Sequence, residues 1–228
     1  MRFVVIGASR GLGFALTQRM LKDGHQVVAT TRAASPPLDA LSGQFPGRLL
    51  VLTCDATDEA ATQKAARKAG EFLGPIDAVC HNAGVLLQSD RTLKLHESDI
   101  ADLRTTLDIN VVGPVITVQS FLPYMAAGGR FFVVTSEGVG ITSCGSWVPA
   151  YALSKAAATK ACGILNASVK GHDFYAVHPG RMDTDMGRTT AQIQPEETAE
   201  GMLKLMTGQV PLSRDHWYID YHGVPMQA

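Results

Sequence analysis

Phe3-Val4-Val5-Ile6-Gly7-Ala8-Ser9-Arg10-Gly11-Leu12-Gly13 is the stretch on which the fold turns. Phe3 to Ile6 is a short apolar run with β-branched members, stopped by Gly7, and reads as a buried strand. Leu12, Ala15, Leu16, Arg19 and Met20 follow at helical spacing, and Gly24 is a candidate C-cap. The glycines therefore sit at a strand-to-helix turn. Such a turn lets backbone N–H groups approach a pyrophosphate at the positive end of the helix. The spacing is GxxxGxG rather than GxGxxG, and its place in a first βα unit points to a dinucleotide site.

Outward from this unit, strands and helices alternate. Gln26–Thr31, Arg48–Thr53, Asp77–His81, Arg130–Thr135, Phe174–His178 and Trp217–Tyr221 read as further strands. Helices are expected over Asp58–Phe72, with Thr57 or Asp58 as N-cap, over Ala150–Leu165 and over Pro195–Met206. A long helical pattern covers Asp99–Met125, and Gly113-Pro114 should kink it or shift its start. Ala33 to Pro37 reads as a loop. The alternation predicts an α/β fold with a doubly wound parallel sheet of about seven strands.

At about 150 residues per domain, length alone does not choose between one domain and two. The unbroken alternation does: residues 1–228 read as a single domain. The apolar fraction of 46% supports a sizeable core, and disorder is not expected. Lys plus Arg number 20 against 21 Asp plus Glu, so nothing suggests a nucleic-acid partner. Cys54, Cys80, Cys144 and Cys162 stand far apart, without metal-ligand spacing, so neither a metal site nor a disulfide scaffold is expected. No apolar stretch reaches transmembrane length, and the first residues do not form a signal peptide, so the expectation is a cytoplasmic protein with no membrane partner.

The residues after the second strand bear on which dinucleotide binds. An NAD site usually places an acid about 20 residues beyond the glycine turn, on the ribose 2′-hydroxyl. Between Gly24 and Leu38 there is no acid, while Arg32 ends the second strand and Arg10 lies in the turn. Guanidinium groups suit a 2′-phosphate, which favours NADP(H) over NAD(H). Tyr151 and Lys155 stand one helical turn apart, on one face. A tyrosine has an unperturbed pKa of about 10. A nearby ammonium and an oxidised nicotinamide would lower it, making Tyr151 a general acid or base.

Taken in order, Gly7-x-x-x-Gly11-x-Gly13, Asn82-Ala83-Gly84, Asn110, Ser136, Tyr151-Ala152-Leu153-Ser154-Lys155 and Pro179-Gly180-Arg181-Met182-Asp183-Thr184 resemble the short-chain dehydrogenase/reductase family. The resemblance runs from residue 3 to about 221, and the length and the ending Ile219–Gly223 are similar to its C-factor-like and sniffer-like carbonyl reductase branch. It implies a single-domain Rossmann-type fold and a homodimer or homotetramer formed through residues 99–125 and 151–165. It implies that Ser136 polarises a substrate carbonyl, that Tyr151 exchanges the proton, and that Lys155 tunes Tyr151 and bonds the nicotinamide ribose. Asn110 would hold a water relaying protons to Lys155. For the cofactor it implies Gly7, Ser9, Arg10, Gly11, Leu12 and Gly13 in the turn, Arg32 beyond it and Asp55-Ala56 at the adenine. Asn82, Ala83 and Gly84 would line the ribose edge, and Pro179, Gly180, Met182 and Thr184 the nicotinamide side. The implied reaction reduces an aldehyde or ketone with NADP(H). A signalling or sensor protein of the C-factor type, binding NADP(H) with little turnover, is the alternative.

The chain departs from the family pattern at several points. Ile6 stands where many members carry Thr, and His81 replaces the first Asn of Asn-Asn-Ala-Gly. The interval from Ser136 to Tyr151 is longer than usual, so Ser143 and Ser146 are alternative serines, and Glu137 beside Ser136 bears on substrate charge. Trp147 and Trp217 are candidates for the substrate pocket, and residues 183–194 for a substrate lid or a plain surface loop.

Overall fold

The structure, a computed structural model, describes residues 1–140, 145–184, 186–187 and 191–227. Seven strands form one sheet: β1 (Arg2–Ile6), β2 (Gln26–Thr31), β3 (Leu49–Thr53), β4 (Ile76–His81), β5 (Met125–Val134), β6 (Asp173–His178) and β7 (Tyr218–Asp220). Their order is β3-β2-β1-β4-β5-β6-β7 and every neighbouring pair is parallel. The order reverses between β1 and β4, the place where an open sheet leaves a crevice at its carboxyl edge.

Each face of the sheet is buried under helices, which is why the strands read as continuous apolar runs rather than alternating ones. Phe3, Val5, Phe132 and Tyr175 face α1 (Gly11–Lys22), α2 (Pro36–Gln44) and α7 (Pro195–Thr207). Val4, Ile6, Phe131 and Phe174 face α3 (Glu59–Leu73), α5 (Gly113–Phe121) and α6 (Pro149–Ser168). Stacked ring pairs tie β5 to β6 on both sides, Phe132 with Tyr175 at 5.4 Å and Phe131 with Phe174 at 5.1 Å. The expected single-domain, doubly wound, seven-stranded fold is the observed one.

Three local readings change. Residues 33–37 do not form only a loop, because Pro36 opens α2, a helix absent from the sequence reading. Proline at the first helical positions lacks only an N–H that has no intrahelical partner anyway, and Leu38 and Leu41 then bury against the core. The helical stretch expected over 99–125 is α4 (Ile100–Leu107), a π-helical turn (Asp108–Val112), α5 and a 3₁₀ turn (Leu122–Tyr124). Of the two effects expected of Gly113-Pro114, the shifted start is the one observed: α5 begins at Gly113, with Pro114 in its first turn, just after the widened turn. β5 starts at Met125, with a register shift against β4 between Ile76 and Ala78. At α3 the structure chooses Asp58 as the cap, its carboxylate accepting the Ala61 N–H at 2.9 Å.

The glycine turn joins β1 to α1 where the backbone has no room for side chains. Gly7 has φ 82°, and a Cβ there would lie 2.8 Å from Ala83. A Cβ on Gly13 would lie 2.2 Å from the Gly7 carbonyl oxygen and 2.7 Å from Asn82 Nδ2. Gly13→Ala should therefore cost about 1–3 kcal/mol, the usual penalty of overpacking. A thermal melt should show a midpoint several degrees lower, and an unchanged midpoint would contradict the contact.

Candidate active site

A cleft of about 1560 Å³ opens along the carboxyl edge of the sheet, lined by residues from the glycine turn at one end to Trp147 at the other. At the nucleotide end no side chain caps α1 and no acid stands in its first turn, so the positive helix terminus faces the cleft without competition. Gly7, Ser9, Arg10, Gly11 and Leu12 line this end, with Arg32 from the end of β2. Asp55 and Ala56, after β3, line it too. Asp55 accepts hydrogen bonds from the Thr57 N–H at 3.0 Å and the Thr57 hydroxyl at 2.8 Å. Those bonds and the charge of Arg32 hold its carboxyl below the usual range.

Asn82, Ala83 and Gly84 follow β4. Asn82 Nδ2 donates to the Gly7 carbonyl at 2.7 Å and the Ala83 N–H to the Ile6 carbonyl at 2.9 Å. Both lock the glycine turn against β4. Gly84 faces the other way: a Cβ on it would lie 3.2 Å from both Asn110 Oδ1 and Lys155 Nζ. His81, which replaces an asparagine of the pattern, is buried and bonds Thr117 through Nδ1 at 2.9 Å. Burial pulls its imidazole down to about 3, so it is neutral.

The reactive end is built on α6. Lys155 is 4% exposed, and its Nζ donates to the Val134 carbonyl at 2.8 Å, 5.5 Å from the centre of the Tyr151 ring. Burial lowers its ammonium to about 8. Burial pushes the Tyr151 phenol up to about 12, against the pull of a hydrogen bond with Ser136 and the charge of Arg91. Ser136 follows β5, and its carbonyl is pinned by the Tyr218 hydroxyl at 2.8 Å. The long interval to Tyr151 therefore does not keep the two side chains apart. Of the alternative serines, Ser146 accepts instead from Lys94 Nζ at 3.2 Å, and Ser143 lies outside the described residues.

Asn110, in the π-helical turn, is buried. Its Oδ1 accepts the Val85 N–H at 2.8 Å, and its Nδ2 donates to the Val85 carbonyl and to the Ser154 hydroxyl, each at 2.9 Å. Ser154 donates in turn to the Tyr151 carbonyl at 2.7 Å. Asn110 thus clamps the segment after β4 to the catalytic helix.

On the far wall, Pro179, Gly180, Met182 and Thr184 all border the cleft. The Pro179 carbonyl accepts the Thr198 hydroxyl at 2.7 Å, and Met182 bridges to Ile193. Thr184 lies over the glycine turn, 3.5 Å from where a Gly11 Cβ would stand. Within 183–194, Asp185 and residues 188–190 lie outside the described residues. Glu137 is paired with Arg181 at 2.5 Å and lies 3.8 Å from His178, so its charge is met within the wall. Trp147 lines the cleft, whereas Trp217 does not: it packs where a Gly163 Cβ would stand, 2.7 Å away.

Asp90 and Arg91 also belong to the site, without a signal in the sequence. Arg91 lines the cleft and acts on Tyr151 through its charge. Asp90 accepts two backbone N–H groups of α6. Neither belongs to a motif, and only the folded path of residues 85–98 brings them here. Among the described residues no group of three or more His, Cys, Asp or Glu side chains is placed to hold a metal. Among them, too, no helix is long and apolar enough to cross a membrane.

Comparison with known proteins agrees with this architecture. Residues 2–195 match the family model described as short chain dehydrogenase. The chain is 32% identical over 155 residues to C-signal of Myxococcus xanthus, covering 66% of this chain and 91% of that protein. A short-chain dehydrogenase/reductase from Burkholderia multivorans, solved with bound NADP, superposes with a TM-score of 0.88 at 25% identity over 100% of this chain and 99% of that one. Carbonyl reductase Sniffer of D. melanogaster shares the fold with a TM-score of 0.89 at 19% identity, over 100% of this chain and 99% of that one. A family model that takes in almost the whole sheet, together with the Ser136–Tyr151–Lys155 cluster at its carboxyl edge, places this chain in the short-chain dehydrogenase/reductase family of oxidoreductases.

Proposed function

We infer that the chain is an NADP(H)-dependent oxidoreductase that interconverts a carbonyl compound and its alcohol, with Tyr151 as the acid–base group. The observation that carries this is the Tyr151 phenol beside Ser136 and the buried Lys155, all bordering the cleft that begins at the glycine turn. A protein that only sensed a nucleotide would have no use for that arrangement. The likeness to C-signal keeps the sensor reading in play. Broad-panel assays showing tight NADPH binding without turnover would favour it.

The residues fit the cofactor. The glycine turn is a cradle that Cβ atoms would fill, the α1 terminus is free of acids, and Arg10 and Arg32 border the adenosine end where a 2′-phosphate needs cations. The Burkholderia relative, with NADP bound, supports the same choice. Asp55 and Ala56 would meet the adenine, Asn82 to Gly84 the ribose edge, and Pro179, Gly180, Met182 and Thr184 the nicotinamide side. Bound there, NADPH supplies the hydride. Tyr151 gives its proton to the developing alkoxide, and Ser136 donates a hydrogen bond to the same oxygen. Lys155 places a donor and a positive charge beneath the phenol. Asn110 Oδ1 and Lys155 Nζ both lie close to Gly84, and a water bonded to the two would carry protons onward. The segment 183–194 serves as the lid, reaching the glycine turn through Thr184.

A homodimer or homotetramer through the α4–α5 and α6 surfaces is part of this proposal. Ile100, Val112, Leu153 and Ile164 are exposed on these elements and supply apolar area for it. Ala156, Ala157 and Ala161 allow close helix approach there, while Ala158 is buried in this chain's own core and Gly163 is occupied by Trp217 of the same chain. Sedimentation velocity should show a dimer or tetramer, and a sample that stays monomeric at high concentration would remove this part.

Two substitutions test the chemistry. Tyr151→Phe should lower kcat for NADPH-dependent reduction of a carbonyl panel by about 10²–10⁴-fold, the range of a lost acid–base group. NADPH binding should survive, and turnover at the unsubstituted rate would refute the assignment. Arg32→Asp should weaken NADPH at least tenfold relative to NADH. If the unsubstituted protein already binds both alike, Arg10 and Arg32 do not select for a 2′-phosphate.

A further inference from the structure

The helix that carries Tyr151 and Lys155 begins without a cap of its own. Val148, just before it, has φ 45° and ψ 56°, a left-handed conformation that strains a β-branched residue. Its side chain has no acceptor to offer. Pro149 has no N–H. The Ala152 N–H reaches back to the Val148 carbonyl at 2.9 Å. The N–H groups of Ala150 and Tyr151 are therefore the open donors of the first turn.

Both are taken by one carboxylate from 60 residues upstream. Asp90 Oδ1 accepts the Ala150 N–H at 2.9 Å and Oδ2 accepts the Tyr151 N–H at 2.8 Å. Asp90 is only 5% exposed, and among the described residues it forms no ion pair. A carboxylate so buried is costly unless its hydrogen bonds are made, and the two amides and the positive helix terminus make them. Asp90 sits in a 3₁₀ turn, Ser89–Arg91, which the Ser89 hydroxyl fixes to Asp102 at 2.5 Å. The next residue, Arg91, donates to the Met186 carbonyl at 2.5 Å across the cleft. The turn is thus held at both ends.

We propose that Asp90 is a positioning residue for the reaction, its carboxylate fixing where α6 begins and so where the Tyr151 side chain stands relative to Ser136. It does not line the cleft and so acts through Tyr151 rather than on the reacting atoms. The proposal rests on Tyr151 being the acid–base group. The atom it grips is the backbone nitrogen of that same residue, and Lys155 follows one turn later, so a slip at the helix start displaces both. A displacement of about 1 Å at a reacting group costs on the order of 10²-fold in rate.

Asp90→Ala is tested beside Asp99→Ala, which removes a cap of the same kind from α4, where the Asp99 carboxylate accepts the Ala101 N–H at 2.7 Å. Asp90→Ala should lower kcat about 10- to 100-fold, leave the KM for the carbonyl and NADPH binding within about twofold, and speed amide hydrogen exchange at Tyr151. Asp99→Ala should leave kcat unchanged. Asp90→Asn keeps one acceptor and should fall between the unsubstituted protein and Asp90→Ala. It remains informative if the alanine variant does not fold. Equal losses of kcat in the Asp90 and Asp99 variants would reduce the effect to general stability, and an unchanged kcat in Asp90→Ala would overturn the proposal. If the unsubstituted protein reduces no carbonyl, the acid–base reading of Tyr151 falls by itself. Unchanged exchange at Tyr151 in Asp90→Ala would then overturn the cap as well.

Discussion

The Gly7 carbonyl is the point on which the cleft depends. Asn82 Nδ2 grips it from β4 at 2.7 Å, and Gly13 of α1 presses so close that no side chain fits between. This contact ties together β1, β4 and α1 at the place where the strand order reverses. It sets the helix terminus at the crevice mouth, and it leaves the turn with no room for a Cβ at either glycine. A partly buried carbonyl needs a partner, and drawing it from the residue that follows the neighbouring strand braces the nucleotide end with the protein's own groups. The 32% identity to C-signal and the family match over residues 2–195 are the sequence-level counterpart of this architecture.

The other end of the cleft obeys a different constraint. A buried amine and a half-buried phenol stand close together, and desolvation drives both toward their neutral forms, Lys155 down to about 8 and Tyr151 up to about 12. The Val134 carbonyl satisfies the lysine, Ser136 stands beside the tyrosine, and the charge of Arg91 favours its phenolate. Desolvation of this kind costs stability but strengthens every charge that develops inside the cleft. Glu137, the acid nearest in sequence to Ser136, does not disturb it, because Arg181 holds it.

Features that are local in the chain were legible in it. The strands announce themselves as apolar runs because both faces are covered, and Tyr151 and Lys155 as a pair because helical spacing puts them on one face. What escaped depends on tertiary context. The prolines at 36 and 37 read as a loop, yet they open α2 once Leu38 and Leu41 find the core. The interval between Ser136 and Tyr151 counts residues, whereas the hydrogen bond depends on how β5 and α6 are set side by side. Asp90 has no sequence signal at all: its partners are backbone N–H groups far along the chain, exposed by a proline and a left-handed valine. Trp217 drew attention as an aromatic, but the space beside Gly163 decided its place.

The most direct measurement follows the hydrogen itself. NADPH deuterated at the nicotinamide C4 is incubated with the protein and a panel of aldehydes and ketones, and the products are read by mass spectrometry. A reductase built around Tyr151 transfers deuterium to the former carbonyl carbon of at least one substrate, with one molecule of NADPH oxidised for each alcohol formed. Oxidation of the cofactor without deuterium in the alcohol, or no alcohol from any carbonyl although NADPH binds, would contradict it.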